Sequence, residues 1–451
     1  MTQQNKQDYL IYKLSDEMKR STRIDADLFK KMAVKRGLRN EDGTGVLVGL
    51  TNIGNVVGYE RNAEGVLQPI EGKLYFRGYE VKDLVKAFAA EKRTGFEEIT
   101  FLLLSGRLPD AEELQAFKEL IFENMPLAHQ TILHIIELEG DDIMNILARS
   151  VMEFYTFDPN PDDVSRDNLM RQSIELISKF PATIAYAYNM YRHKEHGRSL
   201  HIRDAKPGKG VAENFLWMIK GADYTPLDVK TLDLLLVLHC EHGGGNNSTF
   251  TVRVTSSTGT DTYSSIAAGI GSLKGPKHGG ANLKVCDMLS YLKEAVQDWT
   301  NEDEITTYLK RILAKEVFDK AGLIYGIGHA VYTKSDPRAV LLKDMASRLA
   351  AEKGRSKEYE FLELVEKLAV KIVSEQYPTK NFCANVDFYS GFVYDCIGIP
   401  REIFTPLFAM ARIVGWCAHR NEELNFDGRR IIRPAYKCVT EEKTYVPIKD
   451  R

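Results

Sequence analysis

Apolar positions recur at helical spacing along most of this chain. The run from Phe96 to Leu104 stops at Ser105-Gly106, with Pro109 just beyond, the pattern of a helix closed by glycine. Asp142 to Phe157 reads as a second helix, stopped by Asp158-Pro159. The same spacing predicts helices over 171–192, 211–220, 230–242, 261–273, 284–298, 303–315, 339–352, 358–376 and 401–419. The polar stretch 1–45 also looks helical. Alternation at strand period is confined to about 46–76, where glycines and Val, Leu and Tyr recur in short units, and predicts a few small strands or a hairpin. There is no internal repeat, low-complexity segment or Pro/Gly/Ser linker. A second domain is therefore expected between helices, not strung in tandem. Segment 261–273 is rich in Ser, Ala and Gly, which lets a neighbouring element approach closely, and it delivers His278 on a glycine-rich turn.

The 451 residues are 44% hydrophobic and 27% charged, the profile of a soluble globular protein of one to three domains. A net charge of −3 with scattered basic residues gives no reason to expect nucleic acid or an anionic membrane as partner. The longest strongly apolar run, 232–238, is too short to span a bilayer. The six cysteines form no CxxC pair and no short-spaced framework, as in a reduced intracellular chain. The N-terminus has neither a signal-peptide apolar stretch nor an acid-free presequence, so a cytoplasmic location is expected.

Several chemistries are excluded or weakened. No GxxxxGK[ST] is present. Gly269-Ile270-Gly271 follows a helix and lacks dinucleotide-loop spacing. His239 and His242, at i and i+3, would share one helix face and could bind zinc, but no second ligand cluster follows, so no metal is expected. His193, His196 and His201 read as a solvated polar loop. Acid–base chemistry on an anionic substrate remains. His242, His278 and His329 each adjoin glycine, and histidine suits proton transfer near neutrality. Asp387 stands beside Phe388-Tyr389, a setting that raises a carboxyl pKa and suits a base. Arg338, Arg412 and Arg433 lie in apolar or turn contexts. Arg412, on an otherwise apolar helix, needs either an anion or a structural salt bridge.

These motifs resemble the citrate synthase family, in order and spacing, from about Val46 to Arg433. The resemblance is carried by Leu74-Tyr75-Phe76-Arg77-Gly78-Tyr79, Phe96-Glu97-Glu98, Leu238-His239-Cys240-Glu241-His242 and Lys274-Gly275-Pro276-Lys277-His278-Gly279-Gly280-Ala281-Asn282. It continues in Gly326-Ile327-Gly328-His329, Asp336-Pro337-Arg338 and Asn385-Val386-Asp387-Phe388-Tyr389-Ser390-Gly391. The resemblance implies an acyltransferase that condenses acetyl-CoA with oxaloacetate and hydrolyses the thioester to citrate and CoA, with no cofactor. It implies that Asp387 removes a methyl proton, that His278 stabilises the enolate, and that His329 polarises the keto oxygen. His242, His329, Arg338, Arg412 and Arg433 would bind oxaloacetate, with Arg433 reaching across from the partner of a homodimer.

The implied fold is mainly α, in two domains with a minor N-terminal β element. The large domain would comprise 1–278 and 392–451, and a small domain, 279–391, would close over the substrates. CoA would lie along Leu323, Ile324, Tyr325, Gly326 and Ile327, with Lys274 and Lys380 near its phosphates. A role for Arg77 in substrate contact or in anchoring stays open. The scaffold also serves 2-methylcitrate synthases, which use propionyl-CoA, and a catalytically silent paralogue is a further alternative. Residues 1–45 do not resemble the β-rich N-terminal domain of the hexameric NADH-sensitive members, so a dimer is expected.

Overall fold

The structure, a computed structural model, describes residues 3–40, 43–137, 140–378 and 380–451. Helices hold 59% of the chain, so the fold is mainly α. The chain forms two compact units, Met1–Leu50 and Thr51–Arg451. In the first, α1 (Gln3–Ser21) and α2 (Asp27–Lys31) precede a 3₁₀ turn at Arg36–Leu38. This is the helical character expected of 1–45. Positions 1, 2, 41 and 42 lie outside the described residues.

The second unit opens with a hairpin of β1 (Gly54–Arg61) and β2 (Leu67–Phe76), in which Gly54 faces Phe76 and Arg61 faces Leu67. A short β3 (Tyr79–Glu80) pairs with the end of β2. The strand signal over 46–76 was therefore too wide, because 46–53 join no strand of this sheet. The helices that follow are α3 (Val81–Ala90), α4 (Phe96–Ser105), α5 (Ala111–Glu123), α6 (His129–Glu137), α7 (Ile143–Phe157), α8 (Arg166–His196), α9 (Val211–Lys220), α10 (Pro226–His239), α11 (Asn247–Ser256), α12 (Thr262–Lys274), α13 (Ala281–Ala295), α14 (Glu302–Leu313), α15 (Pro337–Glu352), α16 (Ser356–Gln376), α17 (Val386–Cys396) and α18 (Phe404–Asn425).

Caps fix most of these boundaries. Asp142, Asp261, Asp336 and Asn385 accept first-turn backbone N–H groups of α7, α12, α15 and α17. Thr225 and Asp228 form a reciprocal capping box at α10, with Pro226 in its first turn. That box places the start of α10 ahead of the expected 230. Gly106, at φ 89°, closes α4 in the left-handed region, as its sequence predicts.

Two expectations fail here. His193 and His196 lie in the last turn of α8, not in a loop, and only His201 is outside a helix. Helix α10 ends at His239, so His242 lies beyond it and the two do not share a helical face. His239 instead donates from Nδ1 to the Leu235 carbonyl at 2.8 Å, and burial pushes its pKa down to about 3.

The core is organised around α18, which is buried along most of its length and packs against α8, α10, α11 and α12. The small residues of α12 serve this packing. A Cβ on Gly269 would press into Val252 of α11 and reach the Trp416 ring of α18.

The hairpin lies directly against the segment 331–337. Thr333 donates to the Gly58 carbonyl at 2.9 Å, and the Gly72 N–H donates to Ser335 Oγ at 3.2 Å. A Cβ on Gly58 would overlap the Val331 carbonyl, and one on Gly72 would overlap the Ser335 carbonyl and the Tyr332 ring. Both glycines are needed for this close approach. Gly72→Ala is therefore expected to cost about 1–3 kcal/mol by overpacking and to lower turnover, although no functional side chain is removed. Gly271→Ala, which meets open space in mid-helix, should cost nothing. Denaturant midpoints and initial rates of the two variants check this, and equal behaviour would refute it.

Candidate active site

The glycine-flanked histidines converge. His242 follows α10 on a turn whose Gly243 N–H donates to Glu241 Oε1 at 2.5 Å. His329 follows Gly326 and Gly328, at φ 81° and 100°, where side chains other than glycine are strained. Their Nε2 atoms meet at 3.1 Å. The backbone assigns the proton between them. His329 Nδ1 accepts N–H groups from Val331 at 3.0 Å and Tyr332 at 3.1 Å, so in the neutral ring Nε2 carries the hydrogen. His329 is therefore the donor, and His242 accepts at Nε2 and holds its own proton on Nδ1. That Nδ1 is buried and meets no partner among the described residues. Burial first, and Arg338 next, hold the His242 pKa well below the usual imidazole value.

Arg338 stands in the first turn of α15, buried, with Nε and Nη2 held by the two carboxylate oxygens of Asp336 at 3.0 and 2.7 Å. Asp336 also accepts the Val386 N–H at 3.3 Å, which joins the start of α15 to the start of α17. Asp387 follows in the first turn of α17, partly buried, its N–H capped by Asn385 at 3.0 Å. Asn385 in turn donates to the Gly328 carbonyl at 2.9 Å, so the base candidate and the His329 loop share one anchor. Burial raises the Asp387 pKa to about 6, with Arg338 opposing and Asp336 reinforcing the rise.

Arg412 resolves the alternative left open by its sequence. It is fully buried on α18, its Nε donates to the His239 carbonyl at 2.7 Å, and its Nη1 and Nη2 meet no acceptor among the described residues. Burial lowers its pKa to about 10. Among the described residues it forms no salt bridge, although the buried Glu241 carboxylate acts on its charge through space. A buried guanidinium with two unused nitrogens is matched to an anion supplied from outside. Its plane lies 4.8 Å from the Phe408 ring, which also meets His278 edge-on at 5.9 Å.

His278 sits on the turn after α12, fixed by Gly279 N–H to the Leu273 carbonyl at 2.9 Å. Its Nε2 lies 3.0 Å from Ser248 Oγ, which accepts the Trp416 indole N–H at 3.1 Å. Burial, then Arg412, lowers its pKa to about 4, so at neutral pH it is an uncharged donor–acceptor.

Other candidates fall differently. Arg433 is exposed in the C-terminal stretch and meets none of these groups among the described contacts. Lys274 is paired with Asp142 at 2.6 Å, and Lys380 is exposed. In 323–327 Leu323 is exposed, Ile324 is buried, and the Tyr325 hydroxyl donates to Asp319 at 2.6 Å. Arg77 donates from Nε and Nη2 to the Leu103 carbonyl at 3.1 and 2.8 Å, which makes it an anchor for the end of α4. Among the described residues no group of three or more His, Cys, Asp or Glu is placed to hold a metal ion, and no helix is long and apolar enough to cross a membrane.

Sequence reasoning missed the supporting residues. Ser248, Tyr332, His419, Arg253 and Glu423 carry no motif of their own, and only Glu241 of the buried set Glu241–His419–Arg253–Glu423 lies in one. In that set His419 donates to Glu241 at 2.9 Å and accepts from Arg253, which pairs with Glu423 at 2.7 Å. Asp336 had a readable signal, an aspartate directly before a helix-opening proline.

The raised pKa of Asp387 has a stability consequence. The unfolded carboxyl ionises near its ordinary value of 3.8, the folded one only near 6. Ionisation thus opposes folding increasingly between those values and fully above the higher one. Asp387→Asn is expected to be more stable than the parent at pH 7 by about 1–3 kcal/mol and to lose that advantage below pH 4. Urea unfolding across this range measures it, and a pH-independent difference would contradict the assignment.

Similarity to known proteins extends over most of the chain. The family model for the citrate synthase C-terminal domain matches residues 42–435. Citrate synthase 2 of Bacillus subtilis is 35% identical over 85% of this chain and 94% of its own length. The citrate synthase of Deinococcus radiodurans is 38% identical over 80% of this chain and 90% of its own. A 2-methylcitrate synthase of Shewanella oneidensis is 31% identical over 84% and 92%. Among solved structures, the ternary complex of carboxymethyl coenzyme A and oxaloacetate with citrate synthase from Thermoplasma acidophilum aligns with a TM-score of 0.75 at 27% identity, covering 92% of this chain and 99% of that one. A buried arginine with two unpartnered nitrogens, paired histidines, a desolvated aspartate and these likenesses lead to one conclusion: the chain belongs to the citrate synthase family.

Proposed function

We propose that this protein condenses acetyl-CoA with oxaloacetate and hydrolyses the resulting thioester to citrate and CoA, the entry step of the tricarboxylic acid cycle. The observation that carries the reading is Arg412, whose unused buried nitrogens suit a carboxylate of a dianion held opposite Arg338 and His242. Oxaloacetate enters by separating His242 from His329. The His329 Nε2–H then points at its keto oxygen.

Asp387 removes a proton from the acetyl methyl group. A thioester α-proton is weakly acidic, so the step requires a donor at the developing enolate oxygen. His278 fills that role when the Ser248 hydroxyl turns to its Nε2 and leaves the ring proton on Nδ1. The enol carbon attacks the keto carbon, and the keto oxygen takes the hydrogen bond and then the proton of His329. Desolvation of Asp387 favours the neutral acid that proton transfer produces.

Closure of 279–391 over 1–278 and 392–451 keeps water from the thioester until carbon–carbon bond formation is complete. CoA lies along Leu323, Ile324, Tyr325, Gly326 and Ile327, with Lys380 near its phosphates. Lys274 is the weaker candidate, being held by Asp142. The protein works in the cytoplasm as a homodimer in which Arg433 completes the neighbouring site. A second reading, 2-methylcitrate synthesis from propionyl-CoA, is kept because relatives of that activity match over most of the chain.

Thiol release from acetyl-CoA and propionyl-CoA, each with oxaloacetate, decides between the readings by their kcat/KM values. Asp387→Ala and His278→Ala should each lower kcat by at least about 100-fold with little change in KM. Near-normal kcat in either removes its assigned role. Mixing inactive Asp387→Ala and Arg433→Ala dimers under subunit exchange should restore activity, since one site of each hybrid is intact. No recovery despite exchange would place Arg433 outside the neighbouring site.

A further inference from the structure

Tyr332 lies against three members of the proposed oxaloacetate set. Its ring stacks on His329, with centroids 4.6 Å apart and planes 27° apart. The same ring lies 5.5 Å from the His242 ring, and the Arg338 guanidinium stands 5.7 Å from its centroid. Its backbone N–H is one of the two that fix the His329 tautomer. The side chain is 1% exposed, and its hydroxyl meets no partner among the described residues.

A hydroxyl buried in this way costs stability, about 1–3 kcal/mol, so the ring is the part that the site uses. Gly72 backs that ring from the hairpin side and leaves it no room to shift. The pieces form one mechanical unit, in which the hairpin presses on Tyr332, Tyr332 sets the plane of His329, and its π-face carries the cation that binds substrate.

We propose that Tyr332 is a positioning residue for the oxaloacetate half of the reaction, acting through its aromatic ring on His329 and Arg338 and not through its hydroxyl. The inference rests on the oxaloacetate pocket assigned above. A hydrogen-bond donor displaced by about 1 Å loses on the order of 100-fold in rate, which sets the scale of the expected effect.

The test compares Tyr332→Phe with Tyr332→Leu in the full-length protein, with Tyr332→Met as the second ring-less variant should the leucine protein fail to fold. CoA release gives kcat and both KM values, and thermal unfolding gives stability. Tyr332→Phe should keep kcat and both KM values within about twofold while unfolding at a higher temperature, because it removes an unsatisfied hydroxyl. The ring-less variant should lose on the order of 100-fold in kcat/KM for oxaloacetate, shared between kcat and that KM, and leave KM for acetyl-CoA unchanged. A merely structural role would lower the active fraction, and hence kcat, without moving either KM. Kinetics of the ring-less variant close to the parent would overturn the proposal. So would a phenylalanine variant as impaired as the ring-less one, since the hydroxyl would then be the working group. Absence of CoA release by the parent protein is a separate result, which overturns the pocket assignment itself.

Discussion

The geometry of this site depends on one buried carboxylate. Asp336 caps α15, holds two nitrogens of Arg338, and accepts the Val386 N–H from the start of α17. Four donors on one aspartate satisfy its charge inside the protein, where an unpaired carboxylate would be very costly. Burial alone would raise its pKa, yet Arg338 holds it below the ordinary value, so it stays ionised. Arg338 and the helix that carries Asp387 are therefore registered to each other through a single group. Glu241, which is hydrogen-bonded to His419 and to the Gly243 N–H, does the same for the turn of His242.

The second constraint is electrostatic. Burial makes the pocket hostile to positive charge on His242 and His278, and Arg338 and Arg412 add to this at His242 and Arg412 at His278. Both imidazoles are neutral at physiological pH, and each therefore has one donor and one acceptor nitrogen. Which nitrogen donates is decided by its neighbours: backbone N–H groups at His329, and a rotatable serine hydroxyl at His278. The fixed neighbour suits a proton that always goes to the same oxygen. The rotatable one leaves either nitrogen of His278 free to donate.

Much of this was legible in the sequence. Glycines beside His278 and His329 correctly signalled turns, and the apolar surroundings of Arg412 correctly signalled a buried cation. Helices with a clear apolar period appeared where expected, α9 at both ends and α4 to its glycine stop. What could not be read has physical causes. No helix was expected over 386–396, where Asn385 caps α17 and Asp387 stands in its first turn. His239 and His242 looked like one helical face because nothing local shows that α10 ends between them. Tyr332, Ser248 and His419 act through contacts between segments far apart in the chain, and such contacts leave no periodic trace. The two hairpin glycines were visible only as strand-breaking residues, since their function is to make room for a segment more than 250 positions later.

Arg412 also bears on how such a chain persists through descent. A buried charge with two unanswered nitrogens burdens the empty fold, and an apolar side chain of similar volume would relieve it. A gene copy released from its chemistry would gain robustness from almost any such exchange and would lose nothing by it. On the buried run of α18 the arginine is a burden to the empty fold that only an arriving anion would offset.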